Sequence, residues 1–214
     1  PAGATGSVRS LPKVGGLEDT PIERVVALKP DLVIAAVSSR AVDRLEALGL
    51  RVATLEPRSL ADTERVIRQV AAVLDRPADG AALWQQLQAR INAAAARVPA
   101  AVRGQRVYVE MVASRYAAGE ASFVCETLAR LCMANIVPAA MGPFPKLNPE
   151  FVVRARPDIV MASARAVAEM PQRPGWAALA ALRQGRHCGF ANERSEMLVR
   201  PGPRLADTAE ALAD

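Results

Sequence analysis

The 214-residue chain has little of several things, and each shortage excludes something. It has one histidine, His187, and three cysteines, Cys125, Cys132 and Cys188, with no CxxC pair, so no zinc-type constellation is present. It has two Tyr, four Phe and two Trp, too few for a basic–aromatic nucleic-acid platform. No apolar run approaches the roughly 18–20 residues that cross a bilayer. There is no GxSxG, no phosphate-binding P-loop, no dinucleotide fingerprint and no HExxH. An enzyme would have to use Cys125 or Cys188 with His187 as a nucleophile pair. Because Cys188 directly follows His187, the two side chains in a strand point to opposite faces. The reading is therefore not an enzyme, and the chain needs no cofactor or metal of its own. An enzyme on a two-lobed α/β scaffold is the alternative from another class.

What is present is ordinary for a globular protein: 51% hydrophobic and 23% charged residues, with a net charge of +5 carried almost wholly by arginine. Acidic residues interleave with the arginines, as across residues 62–68, which speaks against nucleic acid. The odd cysteine count allows at most one internal disulfide and leaves the compartment open. Cys125 and Cys132 lie a heptad apart on an expected helix and read as core neighbours.

The organising feature is a repeat. The segment EFVVRARPDIVMA from Glu150 to Ala162 matches ERVVALKPDLVIA from Glu23 to Ala35, an offset of 127 residues from Glu23 to Glu150. Glu, Val, Val, Pro, Asp, Val and Ala are identical in register. That spacing is too long for a solenoid and suits two copies of a domain-sized unit. In each copy Pro21 or Pro149 lies near a helix start, where the missing N–H costs nothing. The helix must end before Pro30 or Pro157. A short apolar run follows, of the kind that forms buried parallel strands. Each copy is thus a helix–turn–strand piece of an α/β lobe.

The rest of the chain fills in around the repeat. A helix over residues 39–48 ends at Gly49, and a strand follows over 51–55, making a β-α-β unit. Ser59 and Asp62 resemble a capping box opening a helix to about residue 75. A long helix runs over 77–98, with Leu83, Leu87, Arg90, Ile91 and Ala94 on one face. Strands are expected over 105–112 and 186–190, and helices over 122–131, 176–182 and from Pro203 on. The expected division is an N-terminal lobe over 1–76, a connecting helix over 77–98 and a C-terminal lobe over 99–214.

These residues resemble a family. Val14-Gly15-Gly16, Pro21-Ile22-Glu23-Arg24-Val25 and Leu28-Lys29-Pro30-Asp31-Leu32-Val33 look like the class III periplasmic substrate-binding proteins of ABC importers. Further matches follow in order: residues 123–136, Pro149-Glu150, Arg156-Pro157-Asp158, Gly175-Trp176 and Arg200-Pro201-Gly202-Pro203-Arg204-Leu205. Within that class the chain is most similar to the cobalamin-binding proteins. The resemblance implies two Rossmann-like α/β lobes joined by one long helix, with ligand held in a cleft between them. It implies a protein outside the cytoplasm, periplasmic or lipid-anchored, that hands a small metal chelate to a transmembrane permease. Cobalamin is the first expectation, and haem or a ferric siderophore the alternative. By position the ligand residues would be Leu17, Ala36, Ser114, Arg115, Tyr116, Phe144, Glu196 and Met197, with Arg200 a further candidate for an anion. Phe144 sits in Gly142-Pro143-Phe144-Pro145, where its ring either points outward or anchors the loop. Leu17, Ala36, Phe144 and Met197 stand where the cobalamin proteins carry tryptophans, so stacking area is smaller here. Tyr116 would serve as an axial ligand for haem. Glu23 and Glu150 would dock onto permease arginines, through charge-assisted pairs. The family's first βα unit has no counterpart after Pro1, and no signal peptide is visible. A lobe lacking that strand would expose a sheet edge, so homo-oligomerisation or strand exchange is expected of it.

Overall fold

The computed structural model describes residues 11–15, 21–112, 116–191, 198 and 201–213. Its contacts divide the chain into two compact units, Pro1–Glu56 and Pro57–Asp214. The sequence places the first lobe's end at residue 76, whereas the contacts break twenty residues earlier.

The first unit holds the first copy of the repeat. Helix α1 (Ile22–Ala27) carries Glu23 in its first turn, and strand β1 (Val33–Ala35) follows. Helix α2 (Val42–Ala47) leads to strand β2 (Val52–Thr54), which pairs parallel with β1. Gly49 lies in the left-handed region at φ 79°, the backbone that ends α2. Ile22, Val25 and Leu45 form the small core. Ile34 on β1 is 50% exposed.

The second unit begins with α3 (Leu60–Val73) and α4 (Pro77–Arg97). The capping box is present: the Ser59 hydroxyl accepts from the Asp62 amide at 3.0 Å, and the Asp62 carboxylate accepts from the Ser59 amide. Arg65, the Ser59 hydroxyl and the backbone amides of Arg58 and Ser59 hold the Asp62 carboxyl down at about 2. Trp84, Leu87, Ile91 and Ala94 line the buried stripe of α4, at helical spacing. Arg90, expected on that face, stands at its flank and pairs with Asp207 and Glu210 of the last helix, both at 2.7 Å.

A mixed sheet forms the middle layer. Strands β3 (Arg106–Val112), β6 (Ile159–Ser163) and β7 (His187–Phe190) run parallel in that spatial order. Strands β4 (Tyr116–Ala117, antiparallel) and β5 (Ala134–Asn135, parallel) share the outer edge of β3. Helices α5 (Phe123–Arg130), α6 (Pro149–Ala155), α7 (Ala164–Glu169), α8 (Ala180–Arg183) and α9 (Leu205–Ala213) belong to the same unit. Alternation sorts the two faces of the sheet. Val107, Val109, Met111, Ile159 and Met161 pack into the core with α4, α5 and α9. Tyr108, Val160 and Ala162 pack into the core with α6, Trp176 and Leu179.

The repeat holds at the level of backbone geometry. Helix α6 starts 127 residues after α1, at Pro149 against Ile22. The basic residues before the two prolines, Lys29 and Arg156, both sit in the left-handed region, at φ 46° and 48°. Val25 and Val152 are both buried.

Cys132 departs from expectation. Helix α5 ends at Arg130, and Cys132 lies past its cap at φ 61°, exposed, while Cys125 is buried. Burial pushes the Cys125 thiol up to about 11. His187 and Cys188 are exposed on β7. Ellman's reagent on the native protein is expected to titrate Cys132 and Cys188, and Cys125 only after unfolding. Rapid labelling of all three would show that α5 does not seal Cys125.

Candidate functional site

Strands β3, β6 and β7 end at Val112, Ser163 and Phe190, and ligands of α/β sheets bind outside such carboxyl ends. Tyr116 lies on β4, just past the end of β3, and is 41% exposed. Its strand is held twice. On one side Glu110 and Ala117 are register partners, and the Ala118 amide donates to the Val109 carbonyl at 2.9 Å. On the other side the Ala117 amide donates to the Pro145 carbonyl at 2.9 Å, the Gly119 amide to Pro143 at 2.9 Å, and Tyr116 bridges Lys146 in antiparallel fashion.

This second side explains Gly119. A Cβ there would sit 2.3 Å from the Gly142 carbonyl oxygen, so the two chains approach too closely for any side chain. Gly142, at φ 87°, turns the chain into the Pro143-Phe144-Pro145 segment. Phe144 is half-buried and its ring packs edge-on against Phe123, centroids 6.0 Å apart, at the margin of the larger core. The ring thus anchors the loop. Asn135 ties the floor of the cluster: its amide nitrogen donates to the Ala118 carbonyl at 2.7 Å and contacts the Cys125 sulfur, and its oxygen accepts from the Val137 amide at 2.8 Å. The result is a cross-linked platform that presents Tyr116, Met141 and Lys146 to solvent. Lys146 and Met141 are absent from the sequence reading, because the bridge of Tyr116 to Lys146 joins segments 30 residues apart that share no periodic signal.

The other sequence-derived residues distribute as follows. Ala36 follows β1, half-buried, and its carbonyl accepts from the Ser39 amide at 3.0 Å. Glu23 and Glu150 are exposed, each in the first turn of its helix, α1 and α6. Leu17, Ser114, Arg115, Glu196, Met197 and Arg200 lie outside the described residues. Among the described residues no group of three or more His, Cys, Asp or Glu could hold a metal ion. The platform offers apolar surface, a phenol and an ammonium.

Behind the platform lies a buried ion pair. Glu110, with a fully buried side chain, accepts from both terminal nitrogens of Arg173 at 2.6 and 2.8 Å and from the Tyr108 hydroxyl at 3.0 Å. The carboxylate raises the Arg173 pKa. The guanidinium stacks over Trp176, 4.7 Å from the ring centre.

Compared with known proteins, the chain matches the family model described as periplasmic binding protein over residues 2–188. The chain belongs to that family. Its relatives are binding proteins by name. A substrate-binding lipoprotein of an ABC transporter in Bacillus subtilis, uncharacterised, is 24% identical over 97% of this chain and 68% of its own length. The vitamin B12-binding protein of Vibrio vulnificus is 22% identical over 97% of this chain and 77% of its own. Among solved structures, a periplasmic heme-binding protein in complex with two hemes superposes with a TM-score of 0.77 and 27% identity, covering 97% of this chain and 82% of its own. The family's mixed α/β architecture, expected from the repeat, is the architecture observed.

Proposed function

We propose that this periplasmic binding protein is the extracytoplasmic binding component of an ABC importer and carries a small metal chelate. A cobalamin is the first candidate, and haem or a ferric siderophore the second. The observation that carries the importer role is the matched pair of carboxylates: Glu23 and Glu150 occupy the same exposed first-turn position of equivalent helices, one in each unit. Favourable charge at a helix start is worth only about 0.3–1 kcal/mol and does not call for the same residue in both copies. Arginines on a permease would read the two carboxylates together. Ligand recognition falls to the platform around Tyr116 and to Ala36, together with the candidates outside the described residues. The exposed phenol of Tyr116 suits axial ligation of haem iron. The relatives that bind vitamin B12 and heme support the ligand class. The protein acts by binding and release, without catalysis, outside the cytoplasm.

A thermal-unfolding titration against cyanocobalamin, haemin and a ferric hydroxamate tests the ligand. The true ligand at a hundredfold its Kd stabilises the native state by about 2.7 kcal/mol. Stabilisation by none of the three refutes the ligand class. The docking claim has a separate test. The double Glu23→Ala, Glu150→Ala variant should keep ligand affinity and lose uptake, and normal uptake by that variant refutes docking.

A further inference from the structure

The buried pair behind the platform has a path to Glu150, and neither the family nor the proposed function accounts for it. The indole nitrogen of Trp176 donates to the carbonyl of Pro149 at 3.2 Å. Pro149 is the first residue of α6, and Glu150 is the second. Trp176 itself is 1% exposed. It lies under the Arg173 guanidinium and packs edge-on against Tyr108, centroids 5.6 Å apart. Arg173 and Tyr108 both end on Glu110. Gly175 lets the same loop press on α6, with Val153 3.4 Å from where a Cβ would stand.

The connections close into a ring. Glu110 is the strand partner of Ala117; the Ala117 amide is bonded to Pro145; residues 145–149 lead directly to α6; Pro149 is bonded to Trp176; and Trp176 leads through Arg173 back to Glu110. Every link is short, and Glu110, Ala117 and Trp176 in it are buried. Glu150 is fixed to this ring at one corner, and Tyr116 is the neighbour of another. A helix of seven residues has little stability of its own, so its first turn must be held by its surroundings. The Asn148 side chain supplies one local hold, accepting from the Glu150 amide at 3.0 Å. Trp176 supplies the tertiary one.

We infer that Trp176, held in place by the Arg173–Glu110 pair, is a positioning residue for the Glu150 carboxylate, fixing the first turn of α6 to β3, the strand that pairs with the one carrying Tyr116. The inference rests on the docking role of Glu150 for its functional meaning, and on geometry alone for the positioning.

Hydrogen exchange on the purified full chain tests the positioning without any partner. Trp176→Phe keeps the ring and removes only the N–H donor. It should raise amide exchange across residues 151–155 about fivefold, the loss of one hydrogen bond near 1 kcal/mol, while exchange in β3 and β6 stays unchanged. The paired Glu110→Gln, Arg173→Met variant removes the support of Trp176 without leaving a buried charge. It should raise exchange over the same residues and speed exchange of the Trp176 indole proton. Unchanged exchange in α6, or a rise spread evenly through Pro57–Asp214, overturns the inference. Uptake of whichever of cyanocobalamin or haemin the wild-type chain carries then separates the two claims. Trp176→Phe should slow uptake beside Glu150 and add nothing to Glu150→Ala; fully additive losses overturn the positioning. If Glu150→Ala alone leaves uptake intact, docking fails while the exchange result still decides the positioning.

Discussion

Replacing Arg173 by methionine is expected to cost this protein about 3–5 kcal/mol of stability, because it strips a buried carboxylate of its counter-charge. The Glu110 side chain has no solvent exposure and that of Arg173 has 15%. Among the described residues, Glu110 then keeps only the Tyr108 hydroxyl as a donor. The second substitution Glu110→Gln should recover most of the loss, since a neutral pair of similar volume leaves no orphaned charge. Urea denaturation of the single and double variants measures both effects, read as shifts in midpoint at constant slope. A loss below about 1 kcal/mol for Arg173→Met would place the pair with ordinary surface bridges. Arg65–Asp62 and Arg165–Glu169, with arginine side chains 55% and 86% exposed, are of that ordinary kind.

The contrast between these pairs shows what the chain displays in one dimension. Arg65 lies three residues from Asp62 and Arg165 four from Glu169, so helical spacing announces them. Glu110 and Arg173 are 63 residues apart, and only the return of the chain across β6 and α7 brings them together. The repeat was legible for the opposite reason. Its signals are local: a proline at the helix start, a second proline that ends it, and an apolar run after the aspartate. Those signals carried through to equivalent helices and matching left-handed turns at Lys29 and Arg156. The Ser59 capping box and the long helix from Pro77 were legible on the same terms. Cys132 was misplaced because a heptad spacing says nothing of where a helix stops, and α5 stops at Arg130. Helix α7 went unread because it begins directly at the end of β6, with Ser163 serving as both last strand residue and N-cap. The site follows the same division. Tyr116 could be placed by its position after a strand. The inward packing of Phe144 on Phe123 depends on a contact between a loop and a helix that no periodicity encodes.

That loop contact makes Gly119 the most sensitive small residue of the candidate site. Gly119→Ala should cost about 3 kcal/mol, the upper end of ordinary overpacking, because the atom in the way is backbone. The new Cβ would meet the Gly142 oxygen at 2.3 Å, and a carbonyl cannot rotate aside as a side chain can. One of the two strands must move. The Gly119 amide bond to Pro143 and the Ala117 bond to Pro145 lie on the same ladder, so relief of the clash strains both. The segment that moves holds Phe144 and bridges Tyr116 at Lys146. Loss of ligand affinity should therefore accompany the loss of stability, and should exceed that of Phe144→Leu, which leaves the ladder intact. Calorimetric titration of the ligand found by thermal shift, run beside urea denaturation of both variants, measures the two losses. If Gly119→Ala proves as stable as the wild type, the close approach of residues 119 and 142 is relieved at no cost and the platform is not rigid. If it is destabilised yet binds with full affinity, Tyr116 and its neighbours do not contact the ligand, and recognition belongs to other residues of the chain.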